Sequence, residues 1–528
     1  MAEKTKNILN NLKQKPMLLG GIGCLLLFCI SFFSIYYVRV VYSPEWIGQI
    51  GGTLVLFAVL FALSGIVVLA KKLSKENTSL FMATLIFICG VFFAFINPPN
   101  QAPDEPSHFL RSYAIAMGDF HFDQQQKWPN DVNLLMDNFP SAYRNGHPAN
   151  KGNTILTCYE NYYDALEKGE KGEGFGIIIF QTIPYLPQAF GIFIARLFGA
   201  NALICYWAAR IANMAFYAFC CYFALCWAKR FRIIMYSLMI MPLTVFMAAS
   251  ASNDSMLLAL MFLIFGAVLS DEFDYYKAIV FAISFAVLCT SKMNFIVLAP
   301  LLFVVSNDNW KLKIKKCQYG LIVLAALGIV YFGTSLSVTF LSNYGEIPRT
   351  MSDTNPAEQL KFILSNPLRY IVVFLDTLKN NSFLLFSGGL FGWIDVDIRI
   401  ISYFTPVVLI LNSFKNAHSL EKRDFSKVMM FFVTTLLTYG VVLTGMYLTW
   451  TPVTLPQVIG LQMRYILPGL IGILLVIAYW AMGYMKKPED KTKGQTSAIY
   501  TSFVFCIISV SLLFIAYYLP TKVIVYVS

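Results

Sequence analysis

Charged side chains are scarce in this 528-residue sequence: they make up 13% of it, whereas hydrophobic residues make up 57%. A soluble protein of this length would need more charge to cover its surface. Apolar runs of about 17 to 25 residues recur along the chain, and each is long enough to cross a bilayer as a helix. These features exclude a soluble globular protein and predict an all-α polytopic integral membrane protein.

Other signals are missing as well. The eleven cysteines contain no C-x-x-C pair and no metal-ligand spacing, and nearly all lie in apolar runs, where cysteine acts as a small buried hydrophobe. No internal repeat is evident, which weighs against an inverted-repeat transporter. The net charge is +11, but Lys and Arg fall mostly in short loops. This distribution indicates membrane topology rather than a nucleic-acid partner.

Basic clusters orient the predicted spans. Lysines precede the first apolar run, Met17 to Tyr42, and others follow the second, so we expect a cytoplasmic amino terminus. A third span, residues 79–97, would then exit to the outside. Later spans are predicted at 203–227, 233–250, 255–270, 277–290, 294–306, 318–341, 397–413, 428–449, 465–484 and 497–519. The total is about thirteen crossings of the cell membrane, with the carboxyl terminus extracytoplasmic.

The spans divide the chain into three regions. Residues 1–97 hold the first three spans, 98–202 form a large extracytoplasmic loop, and 203–528 form the remaining bundle with an external loop at about 342–396. Residues 98–173 carry eleven acidic and six basic side chains, and the segment is long enough for a small subdomain and too long for a mere connector. The stretch 176–200 could be another span, but that would place Lys229 outside. We therefore expect one or two interfacial helices there, broken at Pro184 and Pro187.

Polar and ionisable residues gather where the predicted spans meet the external face. An ionisable group at such depth is costly and faces protein or a water-filled cavity, which makes it a functional candidate. We therefore predict one wet pocket open to the outer leaflet. Its candidate residues are Asp104, Glu105, His108, Arg111, Arg210, Asn253, Asp254, Lys292, Asp395, Gln462, Arg464 and Tyr465.

The stretch "NQAPDEPSHFLRSY" is the core of this prediction. Pro106 suits the first turn of a helix, and Asp104 and Glu105 then stand at the positive end of the helix dipole. Spacings of four and three residues bring Asp104, His108 and Arg111 near one helix face. A helix cap with a solvated turn is the alternative interpretation of the acidic pair.

Several other candidates also have two interpretations. Arg464 could bind phosphate or anchor at the lipid headgroups, and Lys292 could bind phosphate or extend to the interface. Arg210 could bind phosphate or pair with Asp104 or Asp254. Asp395 could belong to the pocket or to a loop turn beside Trp393.

Carboxylates and cations beside a membrane cavity suit one kind of chemistry. A carboxylate accepts a proton from an alcohol, while Arg and Lys stabilise a departing phosphate. This combination fits transfer of a sugar from a lipid phosphate to a hydroxyl acceptor that arrives from outside.

Five stretches together resemble a bacterial family of membrane proteins designated domain of unknown function 2142. They are "NPPNQAPDEPSHFLRSYAIAMGDF", "PYLPQAFGIFIARLFG" with the following "AARIANMAFY", "ASASNDSMLLAL", "GGLFGWIDVDI" and "QMRYILPGL". The resemblance covers about residues 80 to 480. That family is grouped with the GT-C glycosyltransferases, so the resemblance implies a GT-C-like fold.

The resemblance also implies a role for the acidic residues. GT-C enzymes carry the catalytic acid in a first large external loop, and their donor is usually a polyprenyl-phosphate sugar. Asp104 and Glu105 match that place, although a His-Pro-Asp-Glu motif found in related mannosyltransferases is Ala-Pro-Asp-Glu here. Asp254 matches a second external acidic position that binds a metal or the acceptor.

We therefore predict an inverting glycosyltransferase of the cell envelope that modifies an extracytoplasmic glycan. Asp104 would be the general base, with Glu105 beside it, and Arg210, Lys292 and Arg464 would bind the donor phosphate. No cofactor is certain: a monophosphate leaving group can do without metal, whereas a diphosphate carrier would favour Mg²⁺ or Mn²⁺ on Asp104 and Asp254. The alternatives are a transporter or flippase of lipid-linked sugars and a non-catalytic subunit of a polysaccharide assembly machine.

Overall fold

The computed structural model describes residues 71, 77–120, 127–141, 155–174, 181–341, 354–380, 388–453, 455–485 and 491–518. The two spans predicted first lie outside these ranges. The chain divides into two units, 1–85 and 86–528. In the first unit the described residues are 71 and 77–85, and residues 78–85 form the beginning of a helix.

The described residues are mostly helical. The helices are α1 (Thr78–Ile96), α2 (Glu105–Ala116), α3 (Asn130–Asn138), α4 (Ile155–Glu167), α5 (Leu186–Leu197), α6 (Ala202–Trp227), α7 (Arg232–Met239), α8 (Pro242–Ala248), α9 (Asp254–Leu269), α10 (Tyr275–Ser291), α11 (Lys316–Leu341), α12 (Pro356–Ser365), α13 (Pro367–Asn380), α14 (Arg399–Ala417), α15 (Phe425–Thr449), α16 (Met463–Met482) and α17 (Lys491–Tyr518). A 3-10 helix runs from Met293 to Val304, and shorter 3-10 turns cover Ile183–Tyr185, Lys229–Phe231 and Lys422–Asp424. One antiparallel hairpin, β1 (Leu390–Phe391) and β2 (Val396–Asp397), pairs Leu390 with Asp397.

Within the described ranges, six helices are long and apolar enough to cross a membrane. They are Thr78–Ile96, Ala202–Trp227, Lys316–Gly333, Lys422–Thr449, Met463–Met482 and Lys493–Tyr518. Each coincides with a span predicted from the sequence. The polytopic helical class is therefore confirmed, while the total of about thirteen crossings stays a prediction.

Two predicted spans take a different form. The stretch 233–250 is two helices, α7 and α8, bent by 75° at a short break. Pro242 causes the break, because it has no N–H to donate and it forces the preceding Met241 into an extended conformation. The stretch 294–306 is the 3-10 helix Met293–Val304, which contains Pro300. A 3-10 helix rises by roughly 2.0 Å per residue, so its twelve residues cover more depth than α-helical ones.

In residues 181–200, the described part of the stretch after the polar loop, α5 is a short helix rather than a span. Helix α5 has 12 residues, fewer than a bilayer crossing requires. It packs against α6 at Gly191, where an added Cβ would lie 2.4 Å from the carbonyl oxygen of Ala208. Glycine at this point therefore permits the close approach of two backbones.

Ion pairs gather at one end of the helices. The guanidinium of Arg230 lies 2.9 Å from Asp271 and 2.8 Å from Asp424, and Lys427 donates to the carbonyl oxygen of Ser270 at 3.2 Å. These contacts place the carboxyl ends of α6 and α9 beside the amino end of α15. The amino end of α9, which begins at Asp254, lies at the opposite end of that helix.

Candidate functional site

A tight turn connects α1 to α2 and exposes Asp104. Asp104 adopts φ 63°, in the left-handed region, and Asn100 does the same with φ 66°. Asp and Asn tolerate this region better than other non-glycine residues, because their short polar side chains bond locally. The Asp104 side chain is 55% exposed, whereas Glu105, the next residue, is fully buried. The turn thus sends two adjacent carboxylates into opposite environments.

Glu105 forms a buried ion pair with Arg210 of α6. The Glu105 carboxylate accepts from Arg210 Nε at 2.9 Å and from Arg210 Nη2 at 2.8 Å, and neither side chain is exposed. It also accepts from the backbone N–H groups of Ala102 at 3.1 Å and Ala251 at 2.7 Å. Glu105 therefore ties the Asp104 turn to α6 and to the segment that leads into α9.

Arg210 uses its remaining donors on the end of α1. Its Nη1 donates to the carbonyl oxygens of Ala94, at 2.9 Å, and Asn97, and its Nη2 donates to that of Pro98 at 2.9 Å. The last carbonyls of a helix have no partner within the helix, and a cation there is favourable. Arg210 pairs with Glu105 rather than with Asp104 or Asp254, and it lies outside the cleft described below.

Four charged side chains meet at the amino ends of α9 and α16. The Arg464 guanidinium donates to Asp104 Oδ2 at 3.0 Å and to Asp254 Oδ2 at 3.1 Å. Lys292, at the carboxyl end of α10, pairs with the other oxygen of Asp254. Tyr465 places its hydroxyl 3.1 Å from Arg464 Nη2. The structure thus brings together five residues from segments more than 350 positions apart.

One donor of this cluster remains unused within the described residues. The Arg464 side chain is only 8% exposed, and its buried Nε makes no hydrogen bond with any described residue. Buried donors in native proteins are nearly always paired. An unpaired buried guanidinium N–H beside a cleft favours an anionic ligand.

A cleft opens beside this cluster; about 380 Å³ of empty space lies between its walls, part of it continuous with the surroundings. One part of its wall is polar, and the other part is apolar. The polar residues are Asp254, Lys292, Asn294, Arg464 and Tyr465; the apolar residues are Met247, Leu257, Leu258, Met261, Phe295 and Pro468. A ligand with a charged group joined to a hydrocarbon chain matches this division.

His108 borders the same cluster from α2. Its Nδ1 lies 2.7 Å from the hydroxyl of Tyr185, which is fully buried. Burial lowers the pKa of His108 from 6.5 to about 4, because desolvation disfavours the imidazolium and the carboxylates of Asp254 and Asp104 only partly offset this effect. His108 is therefore neutral at physiological pH.

This pKa gives a testable pH dependence of stability. Between pH 6.5 and about 4, the unfolded chain binds a proton at His108 and the folded chain does not. The stability that neutral His108 contributes is therefore complete above pH 6.5 and is lost as the pH falls through this window. We expect His108→Gln to lose less thermal stability than the wild type between pH 7 and pH 5. Equal losses, measured by thermal unfolding in detergent, would contradict the assignment.

Two further candidates hold the segment before α5. Arg111 is fully buried; its Nε donates to the carbonyl oxygen of Gln181 and its Nη2 to the hydroxyl of Thr182, both at 3.1 Å. Asn253 donates to the Gln181 side chain at 3.4 Å. Both residues therefore support the loops around the cleft rather than line it.

The last two candidates occupy element ends. Asp395 is buried in the β1–β2 hairpin, where it accepts from the backbone N–H of Trp393 at 2.8 Å. Gln462 occupies the N-cap position of α16, and its side chain makes no capping hydrogen bond. Neither lies in the cleft wall.

The arrangement does not fit a divalent cation. Within the described ranges, no three His, Cys, Asp or Glu residues lie close enough to hold a metal. Asp254 directs its two oxygens at Lys292 and Arg464, and Asp104 directs one at Arg464. Two cations thus balance the two carboxylates that the sequence offered as ligands.

A protein-family profile, described as a predicted membrane protein and designated domain of unknown function 2142, matches residues 87–473. The chain belongs to this family. No curated protein and no solved structure is found to match this chain. The matched range of this family includes every residue of the cleft wall.

Sequence reasoning missed part of the site. Tyr185, the partner of His108, lies in "IPYLP", a stretch whose prolines indicated only a break. The apolar wall residues of α9, such as Leu257 and Met261, stand in a uniformly apolar run with no signal that separates cleft-facing from lipid-facing positions.

Proposed function

We propose that the protein transfers a sugar from a polyprenyl-phosphate carrier to a hydroxyl of an extracytoplasmic cell-envelope glycan, with inversion at the anomeric carbon. The observation that supports this most is the cleft, where two carboxylates and two cations adjoin an apolar wall. Such a carrier has one anionic group, one hydrocarbon chain and one sugar, and the cleft has a suitable surface for the first two.

Lys292 and Arg464 are the proposed phosphate-binding groups. Both residues line the cleft, the Nε of Arg464 makes no hydrogen bond among the described residues, and both cations are already oriented by Asp254. Oriented donors aimed at developing negative charge lower the barrier without reorganisation during the reaction. Asp254 is therefore a positioning residue in this mechanism, because it fixes both cations.

Asp104 is the proposed general base. The acceptor oxygen attacks the anomeric carbon, the bond from that carbon to the phosphate oxygen breaks, and the hydroxyl proton passes to Asp104. The electron pair of the broken bond leaves on the polyprenyl phosphate. Asp104 is exposed enough for a glycan hydroxyl to reach it, and its contact with Arg464 keeps it beside the leaving group.

One assay tests the proposal. Purified full-length protein in liposomes receives a polyprenyl-phosphate sugar with a labelled sugar, together with cell-envelope glycan. We expect label in a glycosidic product and release of polyprenyl phosphate in equal amount. Labelled lipid that crosses the bilayer without a product would instead support a flippase. If no product forms and no lipid crosses with any tested donor, the result would favour a non-catalytic subunit.

Lys292 gives a graded prediction. Lys292→Gln removes one of the two cations, so we expect kcat to fall by roughly 10- to 100-fold, since Arg464 remains. Lys168→Gln, which changes an exposed lysine after α4, is the matched control and should leave kcat unchanged. Equal rates for the two variants would remove Lys292 from the phosphate site.

A further inference from the structure

A lysine-rich segment at the end opposite the cleft has an unusual form. Residues 306–315, "SNDNWKLKIK", lie between the 3-10 helix and α11. The side chains alternate: Lys311, Lys313 and Lys315 are exposed, whereas Leu312 is buried and Ile314 is partly buried. The three exposed lysines, here called the lysine edge, thus present their ammonium groups to the surroundings, while Leu312 packs inward.

Backbone contacts hold this segment in place. The backbone N–H of Phe273 donates to the carbonyl oxygen of Asn309 at 2.7 Å, and the carbonyl oxygen of Phe273 accepts from the N–H of Lys311 at 3.0 Å. The N–H of Lys313 donates to the Tyr275 hydroxyl at 3.2 Å. The ring of Trp310 stacks on Phe273, with centroids 5.2 Å apart and planes 10° apart. The backbone that carries the lysines is thus held in place before any ligand binds, which lowers the entropic cost of binding.

The surroundings indicate a membrane surface. Tyr275 and Tyr276 are 52% and 81% exposed at the start of α10, and Phe303 is 62% exposed just before the segment. Exposed aromatic residues near the end of apolar helices are typical of the membrane–water boundary. The candidate span Lys316–Gly333 begins directly after the lysines. The lysine edge therefore lies at the level of lipid headgroups rather than in bulk solvent.

We propose that Lys311, Lys313 and Lys315 form a binding edge for the phosphodiester headgroups of anionic phospholipids, in the leaflet opposite the cleft. Basic clusters that adjoin a membrane span attract anionic lipids through charge. Lys311 already donates to the carbonyl oxygen of Asp308 at 3.1 Å, but an ammonium has three donors and retains two. The proposal does not depend on the sugar-transfer function, because no residue is shared with the cleft.

The test uses the full chain in neutral detergent, with phosphatidylglycerol or phosphatidylcholine added and bound lipid counted by native mass spectrometry. Each lysine near an anionic surface contributes roughly a fivefold gain in affinity. We expect the Lys311→Gln/Lys313→Gln/Lys315→Gln variant to bind phosphatidylglycerol at least about tenfold more weakly and phosphatidylcholine unchanged. The triple Lys→Arg variant keeps the charge and should bind like the wild type.

A matched control separates this edge from overall charge. Lys127→Gln/Lys168→Gln/Lys171→Gln removes three exposed lysines from the polar loop and should leave phosphatidylglycerol binding unchanged. An equal loss in both triple variants, or none in the first, overturns the proposal. Failure of the Arg variant to bind overturns the electrostatic basis.

The wild type gives an independent readout that needs no variant. We expect bound phosphatidylglycerol to decrease between about 0.05 and 0.5 M NaCl, because salt screens exposed charges, and salt-independent binding contradicts the proposal. Lysine-dependent binding of soluble poly-glutamate without lipid would assign the edge to an acidic polymer and overturn the lipid assignment.

Discussion

Replacement of Asp104 by Asn is expected to reduce kcat by about 10²- to 10⁴-fold in the assay with labelled donor, with little change in the KM for the donor. General base catalysis contributes a factor of this size, and an amide oxygen cannot take the hydroxyl proton at neutral pH. Asn tolerates the left-handed conformation of this position and can still accept from Arg464, so the fold should survive.

Two variants bracket this expectation. Asp164→Asn removes an exposed acid of α4, far along the chain from the cleft residues, and should keep wild-type turnover. Asp104→Glu keeps a carboxylate and should retain more activity than Asp104→Asn. If Asp104→Asn keeps turnover within a few-fold of the wild type, Asp104 is not the base.

Arg210→Met is expected to lower the free energy of unfolding by about 3–5 kcal/mol. This substitution leaves the Glu105 carboxylate fully buried without its cation, and breaking a buried pair from one side costs this much. It also frees the carbonyl oxygens of Ala94 and Pro98. The change is measurable by denaturant unfolding in mixed micelles.

A double-mutant cycle isolates the pair. Glu105→Gln/Arg210→Met contains no unpaired charge, so its loss of stability should be smaller than the sum of the two single losses by roughly 0.5–3 kcal/mol. As a control, Arg423→Met breaks a surface pair in which the Arg423 side chain is 70% exposed and that of Glu421 is 52% exposed. This substitution should change the free energy of unfolding by no more than about 1 kcal/mol. Strict additivity of the Glu105 and Arg210 effects would contradict a coupled ion pair.

The sequence was a good guide to which residues meet at the cleft. Asp104, Asp254, Lys292, Arg464 and Tyr465 were singled out because ionisable groups are costly at the ends of apolar runs, and the structure brings them together. The same cost applies in every membrane protein, so this signal does not depend on the particular fold.

The sequence was a poorer guide to the role of each charge. Asp104 and Glu105 are adjacent acids in the same motif, and only the left-handed turn decides that one is exposed and the other buried. Arg210 was expected to bind phosphate or to pair with Asp104 or Asp254, but the charge that it neutralises is that of Glu105. A long side chain reaches several partners, and sequence spacing does not choose among them.

The sequence by itself determined the class of this protein, a helical polytopic membrane protein. The length and polarity of each apolar run are local properties, and they decide whether that run can cross a bilayer as a helix. The sequence also determined which side chains are too costly to be left in lipid. Only the tertiary structure decided which carboxylate meets which cation and which face of α9 lines the cleft. Those outcomes depend on contacts between residues hundreds of positions apart, and such contacts are fixed by how the helices pack.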